Sequence, residues 1–214
     1  MTIAPEGRPF VLAASSLWAA VSLTAAALGG WWWLAVGAWT PIALWVPWFF
    51  RDPVRVGTRG DQLVIAPADG RVVSIAEVEE PAVIGGRAVR ISVFMNVFDV
   101  HVNRHPVSGT VVLRDYEPGK FFNATLDKAS AFNERASLGV RSPRGAILVR
   151  QIAGLVARRI VTDPELGAAV IQGERLGMIR FGSRVDTFLP AGVRVLVRTG
   201  DRTLAGVTPI AEWS

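Results

Sequence analysis

Both histidines of this 214-residue chain lie in one stretch, Phe94-Met95-Asn96-Val97-Phe98-Asp99-Val100-His101-Val102-Asn103-Arg104-His105-Pro106. Imidazole changes charge near neutral pH, so a His among polar groups after an apolar run suits acid–base work. On a helix, a spacing of four would bring both rings to one face, as a metal pair needs. The alternation of Val with polar residues and the closing Pro106 favour extended or turn structure instead, which leaves an acid–base His and no metal pair. Two other places carry reactive groups. Ile65-Ala66-Pro67-Ala68-Asp69-Gly70 offers a carboxylate, although Asp-Gly after a strand is first of all a turn. Arg180-Phe181-Gly182-Ser183-Arg184-Val185-Asp186 offers a hydroxyl behind a glycine. It is not a nucleophile elbow, because the next glycine is missing and no helical pattern follows.

These groups need a frame, and beyond residue 50 the chain reads as short strands. Runs rich in Val and Ile span 62–66, 70–78, 87–94, 109–116, 145–153, 178–181 and 193–198. Turn clusters such as Pro67-Ala68-Asp69-Gly70, Ile84-Gly85-Gly86 and Pro190-Ala191-Gly192 bound them. Helical patterns are short, around 124–136 and 153–161. The expectation is a mainly β domain, sandwich or barrel-like, with few short helices. Neither a Walker loop nor a dinucleotide Gly motif is present, and no basic–aromatic stripe suggests nucleic acid.

The first fifty residues are different in kind. From 10 to 50 there is no charged side chain, roughly forty residues where a helical span needs about 20. Gly29-Gly30 divides the run into two apolar segments, about 10–28 and 31–50. Seven of the eight Trp fall before residue 50, several near segment ends where aromatic belts form. Pro41 allows a kink or a re-entrant path in the second segment. A signal peptide would be shorter and carry a cleavage site. The reading is therefore a membrane anchor at 1–50, an α-helical transmembrane hairpin, ahead of a β domain at 51–214. Arg8 before it and Arg51, Arg55 and Arg59 after it place both ends on the cytoplasmic side of the cell (inner) membrane.

Composition agrees. The chain is 50% hydrophobic with a mean hydropathy of +0.35 and carries a formal net charge of +5, favouring an anionic partner such as a lipid surface. With no Cys there is no disulfide framework, thiolate zinc site or cysteine nucleophile.

Five segments gain weight from their order: Phe49-Phe50-Arg51-Asp52-Pro53; Pro67-Ala68-Asp69-Gly70; Phe98-Asp99-Val100-His101-Val102-Asn103-Arg104; Gly119-Lys120-Phe121-Phe122-Asn123-Ala124 with Asp127-Lys128-Ala129 and Asn133-Glu134-Arg135; and Phe181-Gly182-Ser183. In this order they resemble the phosphatidylserine decarboxylase proenzymes, specifically the short prokaryotic form, over nearly the whole chain.

The resemblance implies a proenzyme that cuts itself between Gly182 and Ser183 without hydrolysis. Ser183 would be converted to a covalent pyruvoyl group capping the new N-terminus. The products would be a β chain 1–182 and an α chain 183–214, associated as a heterodimer, with a homodimer of that heterodimer left open. The pyruvoyl group would form a Schiff base with the amine of phosphatidylserine and release phosphatidylethanolamine after loss of carbon dioxide. Neither a metal nor pyridoxal phosphate is implied, and nucleic acid is not a partner. The acid–base role falls to His101, with Asp69 orienting it. The longer bacterial form has a second His three residues after the first, where this chain has Arg104, so His105 stands one place off. Arg184 stands where other branches have a small hydroxyl residue and is read as a branch difference, with a phosphate contact left open.

Two other classes stay open on the residues alone. A membrane-anchored serine hydrolase of lipids would keep the chain intact and react with fluorophosphonates. A non-catalytic, membrane-tethered β-domain would be like the biotin and lipoyl carriers, but no carrier-type Lys follows 173–179. An ether-lipid analogue of the substrate is not separable by residue types.

Overall fold

The charge-free opening of the chain folds as two helices. The computed structural model describes residues 2–119, 133–154, 159–180 and 182–214, and the chain divides into two compact units, Met1–Val54 and Arg55–Ser214. In the first, α1 (Arg8–Leu28) and α2 (Trp32–Phe49) run either side of the Gly29-Gly30 reversal. Hydrogen bonds link them: Trp18 Nε1 donates to Thr40 Oγ1 at 2.9 Å, and Trp39 Nε1 donates to the Ala14 carbonyl at 3.2 Å. At the open end, β1 (Thr2–Ile3) pairs with β2 (Arg51–Asp52), and Phe10 stacks on Phe50 at 5.3 Å. The run Pro5–Leu28 is long and apolar enough to cross a membrane. By that measure α2 is not a second such span. It has 18 residues with Pro41 and Pro47 inside it, and each proline removes an intrahelical hydrogen bond.

The second unit is built of short strands. In order they are β3 (Leu63–Ile65), β4 (Gly70–Glu80), β5 (Gly86–Met95), β6 (Val102–Arg104), β7 (Gly109–Glu117) and β8 (Arg135–Arg141). Then follow β9 (Ala146–Ala153), β10 (Ile160–Thr162), β11 (Ala169–Val170), β12 (Arg175–Ile179) and β13 (Ser183–Pro190). The last are β14 (Arg194–Val195), β15 (Arg202–Thr203) and β16 (Pro209–Glu212). An eight-stranded sheet runs β11-β7-β8-β9-β13-β5-β4-β15, and two three-stranded sheets run β10-β12-β6 and β14-β16-β3. Every pair among them is antiparallel. The mainly β expectation for this unit is met.

The core lies between these sheets. One face of the eight-stranded sheet supplies Val72, Ile91, Val93, Val149, Val185 and Leu189, and the smaller sheets supply Val64, Leu176, Ile179 and Ile210. Alternation with period two selects that set from β4, β5, β9 and β13. The opposite face has its own small apolar cluster of Ala88, Leu148 and Phe188.

Both short helical expectations need correction where the chain is described. Of 124–136, residues 124–132 lie outside the described residues, and Arg135 already opens β8. Of 153–161, residues 155–158 lie outside them, while Ala153 ends β9 and Ile160 begins β10. Cross-strand pairing decides these ends, and local helical pattern does not.

Candidate active site

Ser183 is the first residue of β13 and is fully buried. It is held from both sides, paired with Met95 at the end of β5 and with Ala153 at the end of β9. Its hydroxyl points at a thioether, with Oγ 3.4 Å from Met95 Sδ. A neutral sulfur is a weak acceptor and cannot take a proton, so deprotonation needs another group. The residue ahead, Gly182, has φ +57° and nothing within 4 Å of where a Cβ would stand. Any other residue would adopt this left-handed conformation at a cost of about 1–2 kcal/mol. Phe181 lies outside the described residues.

Beneath Ser183, a polar chain runs through the apolar core. Asn103 Nδ2 donates to the same Met95 Sδ at 3.6 Å, and Asn103 Oδ1 accepts from Gln151 Nε2 at 2.8 Å. Gln151 Oε1 accepts from Thr162 Oγ1 at 2.7 Å. Asn103 and Gln151 are both buried, and this linked set joins the eight-stranded sheet to the β10-β12-β6 sheet. Buried amides that satisfy one another fix each other's orientation. On the neighbouring segment, Asn133 Nδ2 donates to the Ala153 carbonyl at 2.7 Å, bracing the strand end opposite Ser183.

His101 is fully buried immediately before β6. Its Nδ1 lies 3.0 Å from the Asp99 carbonyl, which fits an N–H at Nδ1 and leaves Nε2 as the basic nitrogen. The Ile179 amide donates to the His101 carbonyl at 3.4 Å, so His101 is tied to the end of the strand that leads into Gly182. His105 sits at the far end of β6, its backbone bonded to Glu174 and Gly173. Its ring is buried, and burial lowers its pKa to about 4.

Asp69 is buried at the turn into β4, and both its oxygens are engaged. Oδ2 accepts from Arg55 Nη2 at 2.6 Å, and Oδ1 accepts from the Ala205 amide at 2.7 Å. Burial pushes its carboxyl above the ordinary carboxylate range, while the Ala205 N–H and the Arg55 guanidinium pull it back. Gly70 is required next to it, because at φ +151° the chain passes hard against the Phe94 carbonyl and leaves no room for a Cβ. Asp69 and His101 are brought to one region through Asp99. That residue's charge acts on Asp69, and its carbonyl contacts the ring of His101.

Arg184 is placed differently from its expected role. It is 1% exposed and forms a two-pronged pair with Asp186, Nε to Oδ1 at 2.9 Å and Nη2 to Oδ2 at 3.0 Å. Successive side chains of a strand point to opposite faces, so Arg184 projects from the face opposite Ser183. The phosphate-contact reading is therefore withdrawn. Sequence reasoning passed over Met95, Gln151 and Arg55. For Gln151 a signal existed: it occupies an inward position in the otherwise apolar alternation Ile147, Val149, Gln151, Ala153 of β9.

Comparison with known proteins identifies the family. The family model described as phosphatidylserine decarboxylase matches residues 42–211. A phosphatidylserine decarboxylase proenzyme of Symbiobacterium thermophilum is 52% identical over 98% of this chain and 95% of its own length. Proteins of the same name from Azorhizobium caulinodans and Magnetococcus marinus are 52% and 46% identical. They cover 84% and 98% of this chain, and 77% and 94% of their own lengths, respectively. The matched span takes in Asp69, His101, Gly182 and Ser183 together, and on that breadth of likeness the chain belongs to the phosphatidylserine decarboxylase family.

Proposed function

We propose that this chain is a phosphatidylserine decarboxylase that cleaves itself between Gly182 and Ser183 to make its own pyruvoyl group. The observation that carries the reading is the pairing of a left-handed, unobstructed Gly182 with a fully buried Ser183 pinned between two strands. Glycine permits the backbone excursion that attack on its own carbonyl needs, and the strands hold the attacking residue still.

Ser183 Oγ adds to the Gly182 carbonyl carbon while His101 takes its proton. The C–N bond then breaks, giving an ester and a free Ser183 amine. Removal of the Ser183 α-proton expels the Gly182 carboxylate and leaves a dehydroalanine. Its imine form adds water, releases ammonia and becomes the pyruvoyl cap. Asp69, held by Arg55 and the Ala205 amide, positions this side of the site, and the Asp99 carbonyl orients the His101 ring for these transfers.

The finished group supplies an electrophilic carbonyl that accepts the electron pair released as the substrate carboxylate departs. His101 returns a proton to the former α-carbon of the substrate. Asn103, oriented by Gln151 and Thr162, keeps Met95 against position 183. The substrate is phosphatidylserine and the product phosphatidylethanolamine. The two chains, 1–182 and 183–214, stay together as a heterodimer. The first unit anchors the enzyme to the inner membrane, and the β unit works at the cytoplasmic face. A serine hydrolase is disfavoured, because residues 42–211 match a decarboxylase family and not a hydrolase one.

Purified, processed protein in phosphatidylserine vesicles is expected to release carbon dioxide and accumulate phosphatidylethanolamine without added cofactor. Hydrolysis of acyl chains with no loss of carbon dioxide would reject the proposal.

A further inference from the structure

Three positions flanking the site reverse the usual order of a soluble surface, with a polar group turned in and an apolar neighbour turned out. Asp99 gives its carbonyl to His101, and the residue before it, Phe98, is 66% exposed. Ala205 gives its N–H to Asp69, and the residue before it, Leu204, is 47% exposed. Arg55 gives its guanidinium to Asp69, and the residue after it, Val56, is 87% exposed. Val97 adds a further exposed apolar group.

The turn that presents Phe98 is rigid. The Asn96 amide donates to Asp99 Oδ2 at 2.9 Å, the Phe98 amide to Asn96 Oδ1 at 2.8 Å, and the Asp99 amide to the Asn96 carbonyl at 3.0 Å. Three hydrogen bonds fix the backbone of this turn with Phe98 at the surface, where its apolar area lies beside that of Val97 and suits a cover. Cationic side chains stand alongside. Arg202 approaches Asp99 at 3.8 Å, and Arg71, its register partner, is exposed next to it. Apolar side chains with adjacent arginines match an anionic bilayer, hydrocarbon for the first and headgroups for the second.

We infer that Val56, Val97, Phe98 and Leu204 form a bilayer-docking rim of the β unit itself, which seats the side of the unit that carries Asp69 and His101 on the lipid surface. The inference rests on the decarboxylase reading for its substrate and deepens it. A diacyl substrate then needs to rise only to headgroup level to meet position 183.

The test uses the full-length, processed chain in phosphatidylcholine vesicles with two substrates. One is long-chain phosphatidylserine in the same bilayer. The other is short-chain phosphatidylserine supplied as monomers from water. The double variant Phe98→Ser with Leu204→Ser is expected to process normally and to keep its rate on the soluble substrate. On the bilayer substrate it loses about tenfold or more, as expected when large apolar side chains no longer enter hydrocarbon. Val56→Ser, outside every strand, is expected to show the same split at smaller size, and Phe98→Leu to restore the bilayer rate. Equal loss on both substrates, an unchanged bilayer rate, or a rate that tracks self-association would overturn the docking rim. A wild-type protein that decarboxylates neither substrate would instead overturn the function on which it rests.

Discussion

His105 carries a ring sealed in the protein, with burial holding its pKa at about 4 against an ordinary value of 6.5. As pH falls below 6.5 the unfolded chain binds a proton that the folded chain refuses until about 4. Stability is therefore full above pH 6.5 and is lost as pH drops toward 4, by about 3 kcal/mol. Denaturant titrations at a series of pH values should show this loss in the wild type and a flatter profile in His105→Gln. His101 differs in kind, since its ring is oriented by the Asp99 carbonyl and its backbone by Ile179. His101→Ala is expected to leave the chain uncut while His105→Ala still processes. Electrophoresis under denaturing conditions checks both, and a normally processed His101→Ala protein would remove that residue from the mechanism.

Among the elements, β13 concentrates the constraints. Its core-facing residues are Ser183, Val185, Thr187 and Leu189, and its other face carries Arg184, Asp186 and Phe188, nearly all of it buried. A central strand covered on both faces leaves no polar-out alternation, and this is why no strand was expected over Ser183–Pro190. By contrast, β4, β5, β7 and β9 were legible because each is dense in Val and Ile between turn residues, and in β5 Val89, Ile91 and Val93 fall at every second position. The Arg184–Asp186 pair was not, since nothing in an Arg-Val-Asp triplet says that both charges will be buried together. The same holds for Met95 and Gln151, which meet Ser183 and Asn103 only through the register of strands distant in sequence. Asp69, His101 and Ser183, however, were singled out as candidates from short motifs and their order. Asp186→Ala leaves the buried Arg184 without its carboxylate and is expected to cost about 3–5 kcal/mol. Replacing both residues with a matched apolar pair should cost less, and denaturant midpoints compare the two.

At the scale of the whole molecule, the site is built across what would become two chains. Ser183 begins the segment 183–214, whereas its partners Met95 and Ala153, and the candidate residues Asn103, His101 and Asp69, all precede the proposed cut. Strand β13 lies between β9 and β5, and β15 and β16 pair with β4 and β3. On the proposed cleavage, the small chain would stay stitched into two sheets by the pairing of β13, β15 and β16. The two products should co-elute in native size-exclusion chromatography and separate only in denaturant. The most direct test of self-cleavage is the intact mass of the purified protein under denaturing conditions, alongside Ser183→Ala. The account predicts two chains, 1–182 and 183–214, the smaller with a blocked N-terminus that reacts with carbonyl reagents, and one uncut chain of 23.1 kDa in the variant. A wild-type protein that remains a single 23.1 kDa chain would contradict it.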